Sequence, residues 1–216
     1  MEPGEKLSLR PLELDALREA GNMGAGRAAT ALSQMLGRPV SMDVPSASVL
    51  PLEQLSAPLG GPEALVGATY FRVHGDAPGR LLLMLGEKSL ATVLTALLGR
   101  VPAAGQPLDL EAQSALKELG NILCSQYLNA LADFLGFPLL PSVPSLAIDM
   151  AGSVLQSVAA DAAESGAQAL VIEARFRQSG QEVPMFLYYL PEPGSLETML
   201  AALAKATGMD PREPRG

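Results

Sequence analysis

The sequence predicts an α+β fold made by internal duplication, with long helices packed on a mainly antiparallel sheet and a pseudo-twofold relating the two halves. Three observations lead there. Shifting the 216-residue chain so that Asp15 falls on Ser114 aligns it with itself, without a gap, as far as Ser46 on Ser145. The aligned stretches each read as a long amphipathic helix followed by an extended Val-Pro-Ser segment. Each half then continues with a hairpin and a further helix.

The identities are dense. Ala16/Ala115, Leu17/Leu116, Glu19/Glu118, Gly21/Gly120 and Asn22/Asn121 match within the helix. Gly37/Gly136 and Pro39/Pro138 match at its end, then Val44/Val143, Pro45/Pro144 and Ser46/Ser145 beyond it. Two unrelated Ala/Leu-rich helices would not share both the Gly-x-Pro stop and the later Val-Pro-Ser. In the first half, 64–73 and 80–85 flank the turn HGDAPG, and a helix follows from Lys88 to Leu98. In the second, 168–177 and 183–190 flank QSGQE, and Ser195 is placed as the N-cap of a helix reaching Ala206. Each repeat alone leaves its sheet edge unpaired, so strands from both halves are expected to share one sheet. The organisation expected is an N-terminal segment (1–11), one domain over 12–207 made of repeats 12–100 and 111–207, and a flexible tail over 208–216.

A polar triad recurs in the duplicated helix. Residues 15–22 read DALREAGN and 114–121 read SALKELGN, giving Asp15, Glu19, Asn22 and Ser114, Glu118, Asn121. Those offsets place three side chains within roughly 60° of one helix face. Ala16, Leu17, Ala20 and Met23, with Ala115, Leu116, Leu119 and Ile122 in the other copy, form the apolar face. A lone Glu and Asn on a helix usually mean a solvated face. Here both persist while neighbouring polar positions drift: Arg27 faces Gln126, Gln34 faces Asp133, and Asp15 itself faces Ser114. An amide can both donate to and accept from a water, and water-positioning amides accelerate phosphoryl hydrolysis where the substrate brings its own metal. A Glu beside it can pair with a lysine of a partner.

Composition removes other designs. A net charge of −8 without a dense basic run argues against nucleic acid and anionic membranes. No apolar stretch approaches ~20 residues, and the N-terminus lacks a signal-peptide core, so a cytoplasmic protein is expected. Cys124 is the one cysteine, which excludes an internal disulfide and fits a buried filler. His74 is the one histidine and falls in a Gly/Pro-rich turn, leaving no base for a Ser-His-Asp triad. No carboxylates have calcium-loop spacing, and no metal site is expected. GNMGAG lacks the GxGxxG spacing and a preceding strand, so Gly21, Gly24 and Gly26 read as sites of close helix packing.

The segments GNMGAGRAATALSQMLGRPVSMDVPS and SALKELGNILCSQYLNALADFLGFPLLPSVP resemble the two signature segments of the CheC family of chemotaxis phosphatases. That family carries a duplicated D/S-x3-E-x2-N motif, and the resemblance runs from Leu12 to Ala206. It implies hydrolysis of the aspartyl phosphate of a CheY-like response regulator. Glu19 and Glu118 would contact the lysine of the phosphorylated receiver, Asn22 and Asn121 would orient the attacking water, and Asp15 and Ser114 would support them. No cofactor of its own is implied, since the receiver supplies Mg2+. Two intact motifs favour CheC over the CheX branch, and FliY relatives carry a further C-terminal domain. The segment IDMAGSVL resembles one associated with the receptor deamidase CheD, which points to Asp149 as a partner-binding residue or a plain helix N-cap. Rival readings are a non-catalytic adaptor for a regulator or CheD, and a flagellar switch component. Arg27 and Cys124 depart from common family residues; the second site is expected to be the stronger because SALKELGN matches the family more closely than the Arg27-bearing first segment.

Overall fold

The structure is a computed structural model that describes residues 9–100, 107–159, 168–178 and 180–208. The first half comprises α1 (Pro11–Leu36), β1 (Ser41–Pro51), the hairpin β2 (Leu65–Gly75) and β3 (Gly79–Gly86), and α2 (Glu87–Leu98). The second comprises α3 (Leu110–Leu135), β4 (Leu139–Pro141), β5 (Ser145–Met150), α4 (Ala151–Ala159), the hairpin β6 (Gln168–Gln178) and β7 (Gln181–Pro191), and α5 (Ser195–Thr207). The sequence tail 209–216 lies outside the described residues, as do the first eight residues.

The two long helices share length and boundaries. Each spans 26 residues, and each stops at a glycine in the left-handed region, Gly37 at φ 63° and Gly136 at φ 77°. A proline two residues on prevents resumption, so the Gly-x-Pro signature is a helix stop that turns the chain into a strand. Their starts differ. Asp109 caps α3 by accepting from the Ala112 N–H at 2.9 Å, whereas α1 opens on Pro11 with buried Glu13 reaching back to the Arg10 N–H at 2.8 Å.

Among the described residues seven strands form one sheet in the order β1-β6-β7-β3-β2-β4, with β5 also on β2. Every pairing is antiparallel. The halves meet where β3 lies against β7, from Gly79↔Pro191 to Met84↔Phe186. Outward from that seam, each hairpin is flanked by the other half's strand: β1 lies on β6, and β4 and β5 lie on β2. The sheet therefore reads the same from both edges with the halves exchanged, which is the expected pseudo-twofold.

Both faces of the sheet are covered. Leu81, Leu83 and Leu85 with Met185, Leu187 and Tyr189 face a core shared by α1, α2, α3 and α5. Leu82 and Met84 with Phe186, Tyr188 and Leu190 face α4 and the segment around Leu55 and Leu59. That is why β3 reads as a continuous apolar run instead of alternating.

The structure differs from the sequence reading at four points. Helix α4 stands outside the plan of long helix, extended segment, hairpin and helix, and only the N-cap alternative for Asp149 implied a helix there. Its counterpart in the first half is a pair of 3-10 turns, Leu52–Gln54 and Ala57–Leu59, because Pro58 stands where the second copy has Ser157 and cannot sit inside an α-helix. Ser195 is not the N-cap of α5: Gly194 takes that place at φ 83°, a conformation the chain-reversing PEPG turn requires, and Ser195 Oγ is buried without a hydrogen-bond partner among the described residues. Met23 is 43% exposed, since the buried stripe of α1 runs through Gly21 and Gly24 and leaves Met23 on its flank.

The fourth point concerns the glycines. A Cβ on Gly24 would lie 2.9 Å from Tyr127 Cα, so α1 meets α3 backbone to backbone there. A Cβ on Gly21 would lie 3.2 Å from Val44, and one on Gly120 2.6 Å from Thr69, so both are packing glycines as expected. Gly26 is not, for a Cβ there would meet nothing within 4 Å. Gly24→Ala is expected to destabilise by about 1–3 kcal/mol through overpacking. Gly26→Ala is expected to stabilise by up to about 1 kcal/mol through helix propensity. Urea unfolding midpoints of the two variants decide both signs.

Candidate functional site

The two triads occupy equivalent faces of α1 and α3, but their surroundings differ. Asp15, Glu19, Ser114, Glu118 and Asn121 are exposed, as expected, whereas Asn22 is half-buried. Its Oδ1 accepts from the Val44 N–H at 2.8 Å, and its Nδ2 donates to the Val44 carbonyl at 3.4 Å. The amide of the first copy is thus engaged by the backbone of β1.

The cause lies in the Val-Pro dipeptide that follows each helix. Proline has no N–H to give a ladder, and at both of these dipeptides the antiparallel pairing is interrupted. In the first copy it breaks as a bulge: Asp43 pairs with Arg175 and Ser46 with Glu173, so Val44 and Pro45 together oppose one residue. Val44 is 4% exposed, and its freed polar groups find Asn22. In the second copy the strand is interrupted between β4 and β5. Ser142 stands where the first copy has Asp43; its Oγ accepts from the Arg72 N–H at 3.0 Å and donates to the Val143 carbonyl at 3.0 Å. Val143 is 85% exposed, and among the described residues Asn121 is left with a 3.5 Å contact from Ser125 Oγ.

That excursion opens a groove of about 440 Å³ lined by Ser114, Lys117, Glu118 and Asn121 on one side and Pro141–Pro144 on the other. The whole second triad faces it. Neither Glu19 nor Glu118 has a hydrogen-bond or ion-pair partner among the described residues, so both carboxylates are open to a partner. Asp15 by contrast pairs with Arg18 at 3.0 Å.

The two helices and the strands that follow them are where a family model matches. A model of the CheC-like family covers residues 12–49 and 111–148. The chain is 35% identical over 195 residues to the CheY-P phosphatase CheC of Bacillus subtilis, spanning 88% of this chain and 93% of that one. The chain belongs to the CheC-like family. Among solved structures, Thermotoga maritima FliY is similar with a TM-score of 0.74 at 20% identity, covering 93% of this chain and all of that one. A chain of the FliM–SpeE complex of H. pylori gives 0.71 at 10% identity, covering 92% and 98%. At those identities the likeness is one of fold.

The remaining candidates of this CheC-like chain fall as follows. Arg27 bonds Asp133 at 3.0 Å and ties α1 to α3. Cys124 is buried, and burial pushes its thiol well above its ordinary pKa. His74 is exposed near the end of β2, opposite Leu140, rather than in the turn. Asp149 is exposed on β5, with its Oδ1 accepting from the Met150 N–H at 2.7 Å. It does not cap α4, whose first N–H groups on Ala151 and Gly152 go to the carbonyls of Ala64 and Pro62. Among the described residues no three His, Cys, Asp or Glu side chains gather as a metal site. Lys117, Ser142 and Val143 were not singled out in the sequence. The signal for them was the position-by-position comparison of the copies, Arg18 with Lys117 and Asp43 with Ser142.

Two outcomes follow. Asn22→Ala is expected to cost about 1–3 kcal/mol of stability, because a buried N–H and carbonyl lose their partner, whereas exposed Asn121→Ala should fall within about 0.5 kcal/mol of the parent. Chemical denaturation of both variants checks this. Cys124 should resist a thiol-reactive dye in the native chain and label fully in denaturant; fast native labelling would contradict its burial.

Proposed function

We propose that the chain is a chemotaxis phosphatase that hydrolyses the aspartyl phosphate of a CheY-like response regulator, with turnover carried by the second triad. The supporting observation is that Asn121, in a chain 35% identical to a CheY-P phosphatase, presents an uncommitted amide to an open groove. In this reading Glu118 docks on the receiver's lysine by a charge-assisted pair, which sets the height of Asn121 over the phosphoryl group. The Asn121 amide holds a water in line with the acyl phosphate. Attack forms the new P–O bond as the bond to the aspartate oxygen breaks, the carboxylate leaves as an anion, and inorganic phosphate departs. A carboxylate is a good leaving group, so positioning does most of the work and no base is needed from this chain. Neutralisation of the phosphoryl oxygens is assigned to Mg2+ held by the receiver; Ser114 is a supporting residue at the rim.

For the first copy a second reading has a specific observation behind it. Glu19 is open for docking while the Asn22 amide is occupied by Val44, which suits binding of a regulator without turnover. Asp149, exposed on β5, is carried as a contact for a CheD-type deamidase, and the working compartment as the cytoplasm.

Asn121→Ala is expected to lower receiver dephosphorylation by about 10²–10³-fold, by analogy with loss of one preorganised hydrogen-bonding group. Glu118→Lys should weaken receiver binding as well as turnover, and Asn22→Ala should leave most of the rate. A phosphate-release assay with a phosphorylated receiver measures all three. Full activity in Asn121→Ala would reverse the order of the two sites, and full activity in the Asn22→Ala/Asn121→Ala double variant would remove the amide mechanism.

A further inference from the structure

We infer that Lys117 is a docking residue that reads the charge of the phosphoryl group at the second site, and that Ser114 at the first motif position is what leaves it free to do so. The inference rests on the reading of the second triad as the working site. Lys117 is exposed, lines the groove with Glu118 and Asn121, and has no ion-pair or hydrogen-bond partner among the described residues. It stands four residues before Asn121, so ammonium and amide lie on one face, a single turn apart.

The duplicate shows the alternative. Arg18 occupies the same position in α1, four residues before Asn22, but Asp15 lies three residues before it and pairs with it at 3.0 Å. The second copy has Ser114 in place of Asp15, and a hydroxyl cannot neutralise an ammonium. One copy therefore has a cation that is internally paired beside an occupied amide. The other has a free cation beside a free amide.

The charge of the whole chain gives that cation its importance. At −8 the protein repels an anionic partner at long range. A phosphoryl group adds about two negative charges at neutral pH. A lone ammonium at the mouth of the groove favours the phosphorylated receiver over the unphosphorylated one and acts on encounter, while Asn121 acts on the water.

The test uses the full chain, a CheY-like receiver phosphorylated with acetyl phosphate, and steady-state phosphate release at low and high salt. Lys117→Gln should raise KM about five- to tenfold at low ionic strength with kcat changed less than about twofold, and the gap should close as salt screens the charge. Lys117→Arg should restore KM. Ser114→Asp should raise KM as Lys117→Gln does, and the double variant, which carries one more negative charge than either single, should raise it further. Parent-like KM and salt dependence in Lys117→Gln overturn the role of Lys117, and parent-like KM in Ser114→Asp overturns the part given to Ser114. Loss of activity in Asn121→Ala alongside either result leaves the second-site reading standing; a fully active Asn121→Ala removes that reading instead. Matching melting curves, expected at exposed positions, separate these outcomes from misfolding.

Discussion

The pairing of β3 with β7 is the constraint from which the rest of the molecule follows. It joins two hairpins into one antiparallel sheet, and both outer hairpin edges, β2 and β6, then need partners. Each takes the strand that leaves the other half's long helix. Helices α1 and α3 are thereby drawn together over one face, close enough that Gly24 meets the backbone of Tyr127. With their apolar stripes consumed in that core, the polar faces carrying the triads can only look outward. The display of Glu and Asn is therefore a consequence of the duplication's closure into one sheet, not of either helix alone.

The same closure makes the two copies unequal. Each long helix hands its chain to an edge strand through Val-Pro, and both ladders are interrupted at that dipeptide. Where the residue before Val-Pro is Asp43, its carboxylate pairs with Arg177 on β6 at 2.6 Å, the strand stays on the sheet, and the bulge is satisfied from above by Asn22. Where it is Ser142, a short hydroxyl bonds Arg72 and Val143 instead, the chain lifts away, and Asn121 is released. One polar substitution beside the strand break thus accompanies opposite fates for an identical amide.

The fold was legible because its signals are local and doubled. The Gly-x-Pro stops, the hairpin turns and the apolar periodicity each mark one element, and the duplication repeats the message. The common sheet was legible too, since neither half could bury its edges. What escaped depended on contacts distant in sequence. Asn22 and Asn121 sit in matching octapeptides, and nothing within those octapeptides reports that one of them meets a strand 22 residues on. Helix α4 showed in the sequence only through the N-cap alternative for Asp149, because its first N–H groups are satisfied by the carbonyls of Ala64 and Pro62, not by a capping side chain in its own sequence. The placement of Ser195 as N-cap failed for a related reason: a hydroxyl next to a glycine looks like a cap until the turn demands a positive φ and assigns the position to Gly194.

The engaged amide also sets how the first site can behave. Withdrawing Asn22 to meet a partner leaves the N–H and carbonyl of Val44 without their bonds in a residue that is almost wholly buried. Such a loss costs about 1–3 kcal/mol. With docking contacts equal at the two sites, that penalty corresponds to about 5–150-fold weaker productive engagement at the first. The difference shrinks only when the partner itself offers a donor and an acceptor to Val44, or when β1 shifts at its bulge. A motif residue can therefore be retained for two reasons at once. At Asn22 the hydrogen bonds that stabilise the sheet edge compete directly with the bonds to a water, and the fold holds the stronger claim until a partner outbids it.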